Sequence, residues 1–139
     1  MASTRIFRVI MPVADIDRAA QFYRSLLDQP GMRISNGRHY FDCGGVILAL
    51  YDPRADGDSK TLRPNSEYVY FAVPDLETVY ERAERVGGLS DAMGDGNLPM
   101  GRIAVRPWGE RSFYMQDPSA NPLCFVDEKT LFSARRDSA

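Results

Sequence analysis

Val13-Ala14-Asp15-Ile16 returns in the second half of the chain as Val73-Pro74-Asp75-Leu76. Each copy follows a short apolar run and opens a segment whose apolar residues recur at helical spacing. Aspartate is a preferred residue just before the first turn of a helix, because its carboxylate accepts hydrogen bonds from free backbone N–H groups. The two copies therefore predict two strand–helix junctions, sixty residues apart (Asp15 to Asp75), and an internal repeat.

Apolar residues after each aspartate fall on a single helical face. A spacing of three and four residues places side chains above one another on an α-helix, so such a stripe predicts a helix that packs against a core. The first stripe consists of Ile16, Ala19, Ala20, Tyr23, Leu26 and Leu27, and the second of Leu76, Val79, Tyr80, Ala83 and Val86.

Eight short segments have the composition of β-strands, because they are rich in β-branched and aromatic residues and are bounded by turn residues. Asn36-Gly37 and Gly44-Gly45 are typical of tight connections between antiparallel strands. The predicted strands cover residues 6–13, 32–35, 38–43, 46–51, 68–73, 102–106, 111–116 and 123–126.

The order of these elements is βαβββ, a connecting segment and βαβββ again, which predicts an α+β fold in one domain of 139 residues. We expect the first unit at residues 6–52, a linker at 53–66, the second unit at 67–128 and a polar tail at 129–139 that contains Arg135-Arg136. One helix covers one face of a four-stranded sheet. The other face of each sheet is therefore free to line a cavity, the usual place for a small-molecule site.

The composition excludes several classes of partner. Hydrophobic residues make up 44% and charged residues 26% of the chain, as in ordinary globular proteins. A net charge of −2, with acidic and basic residues interspersed, does not suit nucleic acid. No apolar run reaches the roughly 20 residues of a membrane span, and no signal region precedes the first strand, so we expect a cytoplasmic protein. Cys43 and Cys124 are too few for a disulfide framework, and we expect both to be reduced.

The second half ends in the turn Asp117-Pro118-Ser119-Ala120-Asn121-Pro122, which precedes the last predicted strand. Together with the repeat, this turn resembles the vicinal oxygen chelate superfamily, which includes glyoxalase I, the extradiol dioxygenases, fosfomycin resistance enzymes and bleomycin resistance proteins. The resemblance implies two βαβββ units in a pseudo-twofold arrangement, with facing sheets around a cavity, and a homodimer. Ala120 stands where the family usually has Gly, so we expect a turn without a positive φ at this residue.

Enzymes of this superfamily bind a divalent metal at four positions. The resemblance places these positions at Arg8, Ala49, Tyr68 and Cys124. Arginine does not lose its proton to bind a metal and alanine has no donor atom, so these residues make a poor metal site. The single histidine, His39, lies beside the Asn36-Gly37 turn, where we expect a surface side chain rather than a ligand. We therefore expect no metal, no cofactor and no catalytic residue of the family type.

Residues 108–118 (WGERSFYMQDP) resemble a stretch of bleomycin resistance proteins, which also carry Trp-Gly, an aromatic strand and the Asp-Pro turn. Trp108 either offers a flat apolar face and one N–H donor at the mouth of the cavity, or packs a loop. Strand alternation places the other candidates on the cavity face if the registers are right. The predicted ligand-binding residues are Arg8, Tyr68, Tyr70, Trp108, Tyr114 and Cys124.

The other candidates also have structural interpretations. The three tyrosines suit a half-buried strand face whether or not a ligand is present. A buried guanidinium at Arg8 requires a partner, which is either a ligand anion or a protein acid. The candidate acids are Glu67, Glu110 and Asp42. Cys124 lacks a neighbouring base that would make it a nucleophile, and small buried cysteines are common.

These patterns favour a binding protein over an enzyme. We expect a metal-free member of the superfamily that sequesters or senses a small amphipathic or aromatic molecule, as in antibiotic resistance. A metal-dependent lyase, isomerase or dioxygenase with an atypical site is the alternative, and a protein-interaction module is a third. Metal analysis of the purified protein, with and without added divalent ions, distinguishes the first two.

Overall fold

A computed structural model describes residues 3–131 and divides them into two compact units. The first unit extends to Ser66 and includes Pro118–Asn121, and the second starts at Glu67. Each unit contains one α-helix and one four-stranded sheet, which confirms the predicted α+β fold with two βαβββ repeats. The tail expected at 129–139, with Arg135-Arg136, lies outside the described residues from position 132 onward.

The first unit consists of β1 (Arg8–Pro12), α1 (Ile16–Leu27), β2 (Met32–Ser35), β3 (Arg38–Cys43) and β4 (Val46–Tyr51). The strand order is β1-β4-β3-β2, in which β1 and β4 run parallel and the other neighbours run antiparallel. Along β1 the side chains alternate as predicted: Met11 is fully buried, whereas Arg8 and Ile10 are exposed. The helix contacts β3 and β4 on the buried face.

The second unit repeats this order with β5 (Val69–Val73), α2 (Leu76–Val86), β6 (Ala104–Val105), β7 (Arg111–Gln116) and β8 (Pro122–Asp127). Its sheet order, β5-β8-β7-β6, matches that of the first unit, with β5 parallel to β8. Strand β6 is shorter than the predicted strand at 102–106. The carbonyl of Arg102 accepts a hydrogen bond from the guanidinium of Arg106 (2.9 Å) and so takes no part in strand pairing.

An aspartate starts each helix, as the repeat predicted. The Asp15 carboxylate accepts a hydrogen bond from the backbone N–H of Arg18 (3.1 Å), and Asp75 accepts one from that of Thr78 (3.2 Å). Each such cap contributes about 1 kcal/mol to the stability of its helix. The predicted apolar faces are buried at most positions, although Leu27, Tyr80 and Val86 are only partly buried. Within residues 3–131, neither helix is long and apolar enough to cross a membrane.

The segment expected as a linker is attached to the first unit at its start. The buried Asp52 carboxylate accepts hydrogen bonds from the backbone N–H groups of Ile16 (3.2 Å) and Ala55 (3.2 Å). Asp56 accepts one from the backbone N–H of Gly37 (2.6 Å) in the β2–β3 turn. The Pro-, Asp- and Gly-rich composition therefore predicted irregular backbone correctly but did not reveal these attachments.

His39 is buried, with 3% of its surface exposed, so the expected surface position is wrong. The residue follows the turn closely, but strand alternation places it on the same face as the buried Phe41. Its Nε2 lies 3.0 Å from the carbonyl oxygen of Pro30, and its Nδ1 accepts a hydrogen bond from Nε of Arg33 (3.3 Å). A neutral ring with its proton on Nε2 satisfies both contacts.

The turn before β8 also corrects an expectation, because Ala120 has a φ of +67°. Its two neighbours are fixed within the first unit. The Ser119 hydroxyl accepts a hydrogen bond from the backbone N–H of Ala14 (3.0 Å), and the Asn121 amide donates one to the carbonyl of Pro12 (2.6 Å). Ala120 lies between these contacts and adopts the left-handed conformation, which costs a residue with a Cβ about 1–2 kcal/mol.

Replacing Ala120 with Gly should therefore stabilise the protein. We expect Ala120→Gly to raise the free energy of unfolding by about 1 kcal/mol, since relief of the left-handed strain exceeds the added entropy of the unfolded chain. Urea denaturation followed by circular dichroism measures the change. Ala19→Gly in α1 is the matched control, because the same substitution in a helix lowers stability by about 1 kcal/mol or more. A destabilising Ala120→Gly would contradict the strained turn.

The buried His39 should make stability depend on pH. Burial is the main cause that lowers the pKa of His39; the Pro30 carbonyl opposes it, and the positive charges of Arg33 and Arg24 add to it. The unfolded chain then binds a proton more readily than the folded one, so stability is lost as pH falls below the unfolded pKa. We expect the free energy of unfolding to decline between pH 7.5 and 5.5, and His39→Gln to remove that decline. NMR titration of this single histidine gives the folded pKa directly; a value above about 6.5, the ordinary one, would contradict the burial argument.

Candidate ligand-binding site

Four of the six predicted ligand-binding residues lie on the face of the second sheet that α2 does not cover. Tyr70 of β5 and Tyr114 of β7 flank Cys124 of β8 in register, and Tyr68 precedes β5. The Tyr68 ring meets the Tyr114 ring edge-on at a centroid distance of 4.9 Å and lies 6.4 Å from the Tyr70 ring. Tyr70 is 56% exposed, so it is the tyrosine that a ligand meets most readily.

Cys124 and Tyr114 form the floor of this cluster rather than its surface. Cys124 is fully buried and Tyr114 is 5% exposed, with Tyr68 and Met100 packed against them. Burial raises the pKa of Cys124 to about 12, although hydrogen bonds with Ser112 and Tyr114 oppose this change. A thiol in this environment stays protonated at neutral pH and is a weak nucleophile.

A tight hairpin between β6 and β7 positions Trp108. The backbone N–H of Gly109 donates to the carbonyl of Arg106 (2.8 Å), and the N–H of Arg106 donates to the carbonyl of Glu110 (2.8 Å). Pro107 suits the second position of such a turn and Gly109, with a φ of +94°, suits the fourth. Trp108 therefore lies at the tip, 47% exposed, where its Nε1–H donates to the Glu110 carboxylate (2.9 Å).

A cleft with a volume of about 200 Å³ lies beside this hairpin. The loop that follows α2 forms its other wall, because the N–H of Tyr114 donates to Met100 (2.8 Å) and its carbonyl accepts from Ser90 (3.1 Å). Typical ligand pockets measure about 300–1,000 Å³, so the cleft suits a small ligand or one part of a larger one. The cleft is lined by Gly94, Leu98, Met100, Arg106, Pro107, Trp108 and Tyr114.

Arg106 supplies a buried cation to this cleft and was not among the predicted site residues. It is 5% exposed, and its guanidinium lies 5.0 Å from the centroid of the Tyr114 ring. Its Nε donates to the Ser112 hydroxyl (3.1 Å), and its Nη2 donates to the Ser112 carbonyl (2.7 Å). The sequence signal is its place at the end of the strand predicted at 102–106. In the structure Ala104 pairs with Ser112 on the candidate face, and Arg106 falls two residues further along.

Arg8 belongs to the first unit and lies on the face of its sheet away from α1. The side chain is exposed, and its guanidinium lies 4.8 Å from the centroid of the Phe7 ring and 5.3 Å from that of Tyr40. None of the ion pairs between described residues involves Arg8. The alternative that Arg8 pairs with an internal acid is therefore wrong, and cation–π contacts hold it instead.

The four positions that the resemblance assigns to a metal do not form a fitting donor set. Ala49 is buried and has no donor atom, and Arg8 stays positively charged. Burial raises the pKa of both Tyr68 and Cys124, which opposes the anionic forms that bind a metal. Across residues 3–131, no group of three or more His, Cys, Asp or Glu side chains is arranged to hold a metal ion.

Comparison with known proteins identifies relatives of this fold. The family model described as Glyoxalase/Bleomycin resistance protein/Dioxygenase superfamily matches residues 5–125. A glyoxalase-related enzyme from Fulvimarina pelagi is 17% identical with a TM-score of 0.70, over 94% of this chain and 93% of that chain. No curated protein matches the sequence.

Two further solved structures of the same fold are named for different functions. A lactoylglutathione lyase from Agrobacterium tumefaciens is 18% identical with a TM-score of 0.63, over 93% of this chain and 97% of that chain. A bleomycin-binding protein in complex with bleomycin is 18% identical with a TM-score of 0.61, over 90% and 98%. Likeness at these identities establishes the fold and leaves the chemistry to the site.

The two cysteines should differ in reactivity. Cys43 is partly exposed, and burial together with the charge of Asp42 raises its pKa to about 11. Cys124 is fully buried. We expect iodoacetamide at pH 8 to modify Cys43 slowly in the native protein and Cys124 only after unfolding. The single-thiol variants Cys43→Ser and Cys124→Ser, followed by mass spectrometry with and without urea, separate the two rates. Faster native labelling at Cys124 would show that this site is open and activated.

Proposed function

The chain belongs to the Glyoxalase/Bleomycin resistance protein/Dioxygenase superfamily, and we propose that it is a metal-free binding protein rather than an enzyme. Its ligand is a small amphipathic or aromatic molecule, and its role is sequestration or sensing. The residues that form or support the proposed site in the second unit are Tyr68, Tyr70, Trp108, Tyr114 and Cys124. Arg8, the sixth predicted residue, is an exposed cation on the sheet of the first unit.

The proposal rests on the side chains at the four positions where enzymes of the family bind their metal. Catalysis through a divalent ion requires anionic or neutral donors that remain available at neutral pH. Ala49 supplies none, Arg8 is a cation, and the burial of Cys124 raises its pKa to about 12. A site of this composition supports binding by contact and stacking instead of Lewis-acid chemistry.

The aromatic side chains of the second unit support the ligand class. Trp108 presents half of its surface to solvent at the edge of the cleft, and Tyr70 is similarly exposed on the sheet. Aromatic faces bind planar or apolar groups, and each such contact contributes about 0.5–1.5 kcal/mol beyond the area it buries. The bleomycin-binding protein, whose structure was solved in complex with bleomycin, is consistent with this use of the fold.

A homodimer is part of the proposal on the strength of the family resemblance, and a cytoplasmic location is part of it on the strength of the sequence composition alone. Its oligomeric state is measured by sedimentation of the purified protein.

Native mass spectrometry tests the proposed function directly. We expect the protein, incubated with small molecules extracted from cells, to retain a small-molecule adduct. We expect no stoichiometric metal adduct after incubation with Zn²⁺, Mn²⁺ or Fe²⁺. A metal that bound only the folded state at one hundred times its Kd would also stabilise the fold by about 2.7 kcal/mol. A melting curve with each ion therefore checks the same point independently.

Variants connect the adduct to the site. Trp108→Ala should weaken the binding free energy of the retained ligand by about 1–3 kcal/mol, as expected when a well-packed aromatic contact is lost. Val105→Ala is the matched control, because Val105 is an exposed apolar residue of the same hairpin and does not line the cleft. Tight binding of one divalent ion per chain with an induced activity would contradict the proposal and favour the metal-dependent enzyme.

A further inference from the structure

We propose that the cleft beside Trp108 selects an aromatic acid, whose ring stacks on the indole and whose carboxylate is bound by Arg106. The inference rests on the proposed small-molecule function and adds the chemical class of the ligand. It also assigns a binding role to Arg106, a residue outside the set predicted from the sequence.

The first step is the charge of Arg106. A guanidinium that is 95% buried keeps its positive charge, because arginine does not deprotonate in proteins. Buried charges are ordinarily paired with an opposite charge, since desolvation is costly. None of the ion pairs between described residues involves Arg106. Its neighbours offer carbonyl and hydroxyl dipoles instead of an anion, so the site has a positive charge without a counter-ion.

The second step is the count of donors. A guanidinium has five N–H groups. The Nε–H and both Nη2–H groups are directed at the acceptors of Ser112, Arg102 and Met100. Nη1 donates to the Pro99 carbonyl (3.2 Å), and within the described chain it has no second acceptor. One N–H of the residue that lines the cleft therefore remains for a ligand.

The third step is the rest of the lining, which excludes small hydrated anions as the preferred ligand. Leu98, Met100 and Pro107 are apolar, and Trp108 presents a flat ring at the edge of the same cleft. Glu110 does not line the cleft and accepts the indole N–H (2.9 Å). The combination suits a carboxylate attached to one or two rings, since the volume of about 200 Å³ is below that of typical drug-sized pockets.

A pair of matched probes tests this selection in the native protein. The probes are 2-naphthoate and 2-naphthamide, which share their ring and nearly their shape but differ in charge. Isothermal titration gives the Kd of each, and the fluorescence of the single tryptophan reports binding at Trp108. We expect 2-naphthoate to bind at least about tenfold more tightly, because a charge-assisted hydrogen bond is stronger than a neutral one. Acetate, the third probe, measures how much the carboxylate contributes to binding without the ring, and we expect it to bind weakly.

Two variants assign the selectivity to one side chain. Arg106→Gln should bring the Kd values of the two naphthalene probes to within about threefold of one another. Arg102→Gln removes an exposed arginine of the same loop that does not line the cleft, and it should leave the ratio unchanged. Arg106 also fastens the loop to β7, so circular dichroism checks that its variant is folded. If that variant does not fold, the comparison of the probes in the native protein decides alone.

The outcomes separate this inference from the function on which it rests. Equal affinities, or tighter binding of the amide, would overturn the acid selectivity and leave a small-molecule site at Trp108. Tight binding of acetate would overturn the aromatic requirement. If neither naphthalene probe saturates the protein, the inference is wrong for this cleft. An adduct in the native mass spectrum would still support the proposed function.

Discussion

In each unit, an aspartate carboxylate binds a backbone N–H three residues ahead and fixes the point at which strand becomes helix. Because Asp15 and Asp75 lie directly between the strand and the helix, the helix returns over the sheet that it has just left. It covers one face and leaves the other without a helix. The second unit uses this uncovered face for Tyr70, Tyr114 and Cys124, so the candidate site is a consequence of the junction.

Arg106 explains how the loop between α2 and β6, which contains no α-helix or strand, forms one wall of a cleft. Its guanidinium binds the carbonyls of Pro99 and Arg102 on the loop and both oxygens of Ser112 on β7. These carbonyl and hydroxyl dipoles satisfy most of the N–H donors but do not neutralise the charge. The same side chain therefore stabilises the wall and contributes a positive charge to the lining of the cleft.

Two solved structures, one named as a lactoylglutathione lyase and one as a bleomycin-binding protein, share this fold with the chain at 18% identity. The βαβββ repeat constrains the core and the strand registers, and it constrains the site much less. In this chain the last-strand position is occupied by Cys124, which lies beneath Tyr68 and Met100 as part of an apolar cluster. That burial, rather than the fold, argues against the metal chemistry of the enzymes.

The sequence by itself determined the repeat, both helix starts and the faces of most strands, because capping and alternation depend on residues close together in the chain. It did not determine the burial of His39, the left-handed φ of Ala120 or the role of Arg106. Each of these depends on a backbone carbonyl, a hydroxyl or an amide that folding brings from elsewhere in the chain. Alternation is consistent with the faces on which His39 and Arg106 lie, but the partners that hold them are invisible to local spacing. Only the tertiary structure therefore decided that His39 is bound between Pro30 and Arg33, that Ala120 is strained and that Arg106 is buried without an ion-pair partner among the described residues.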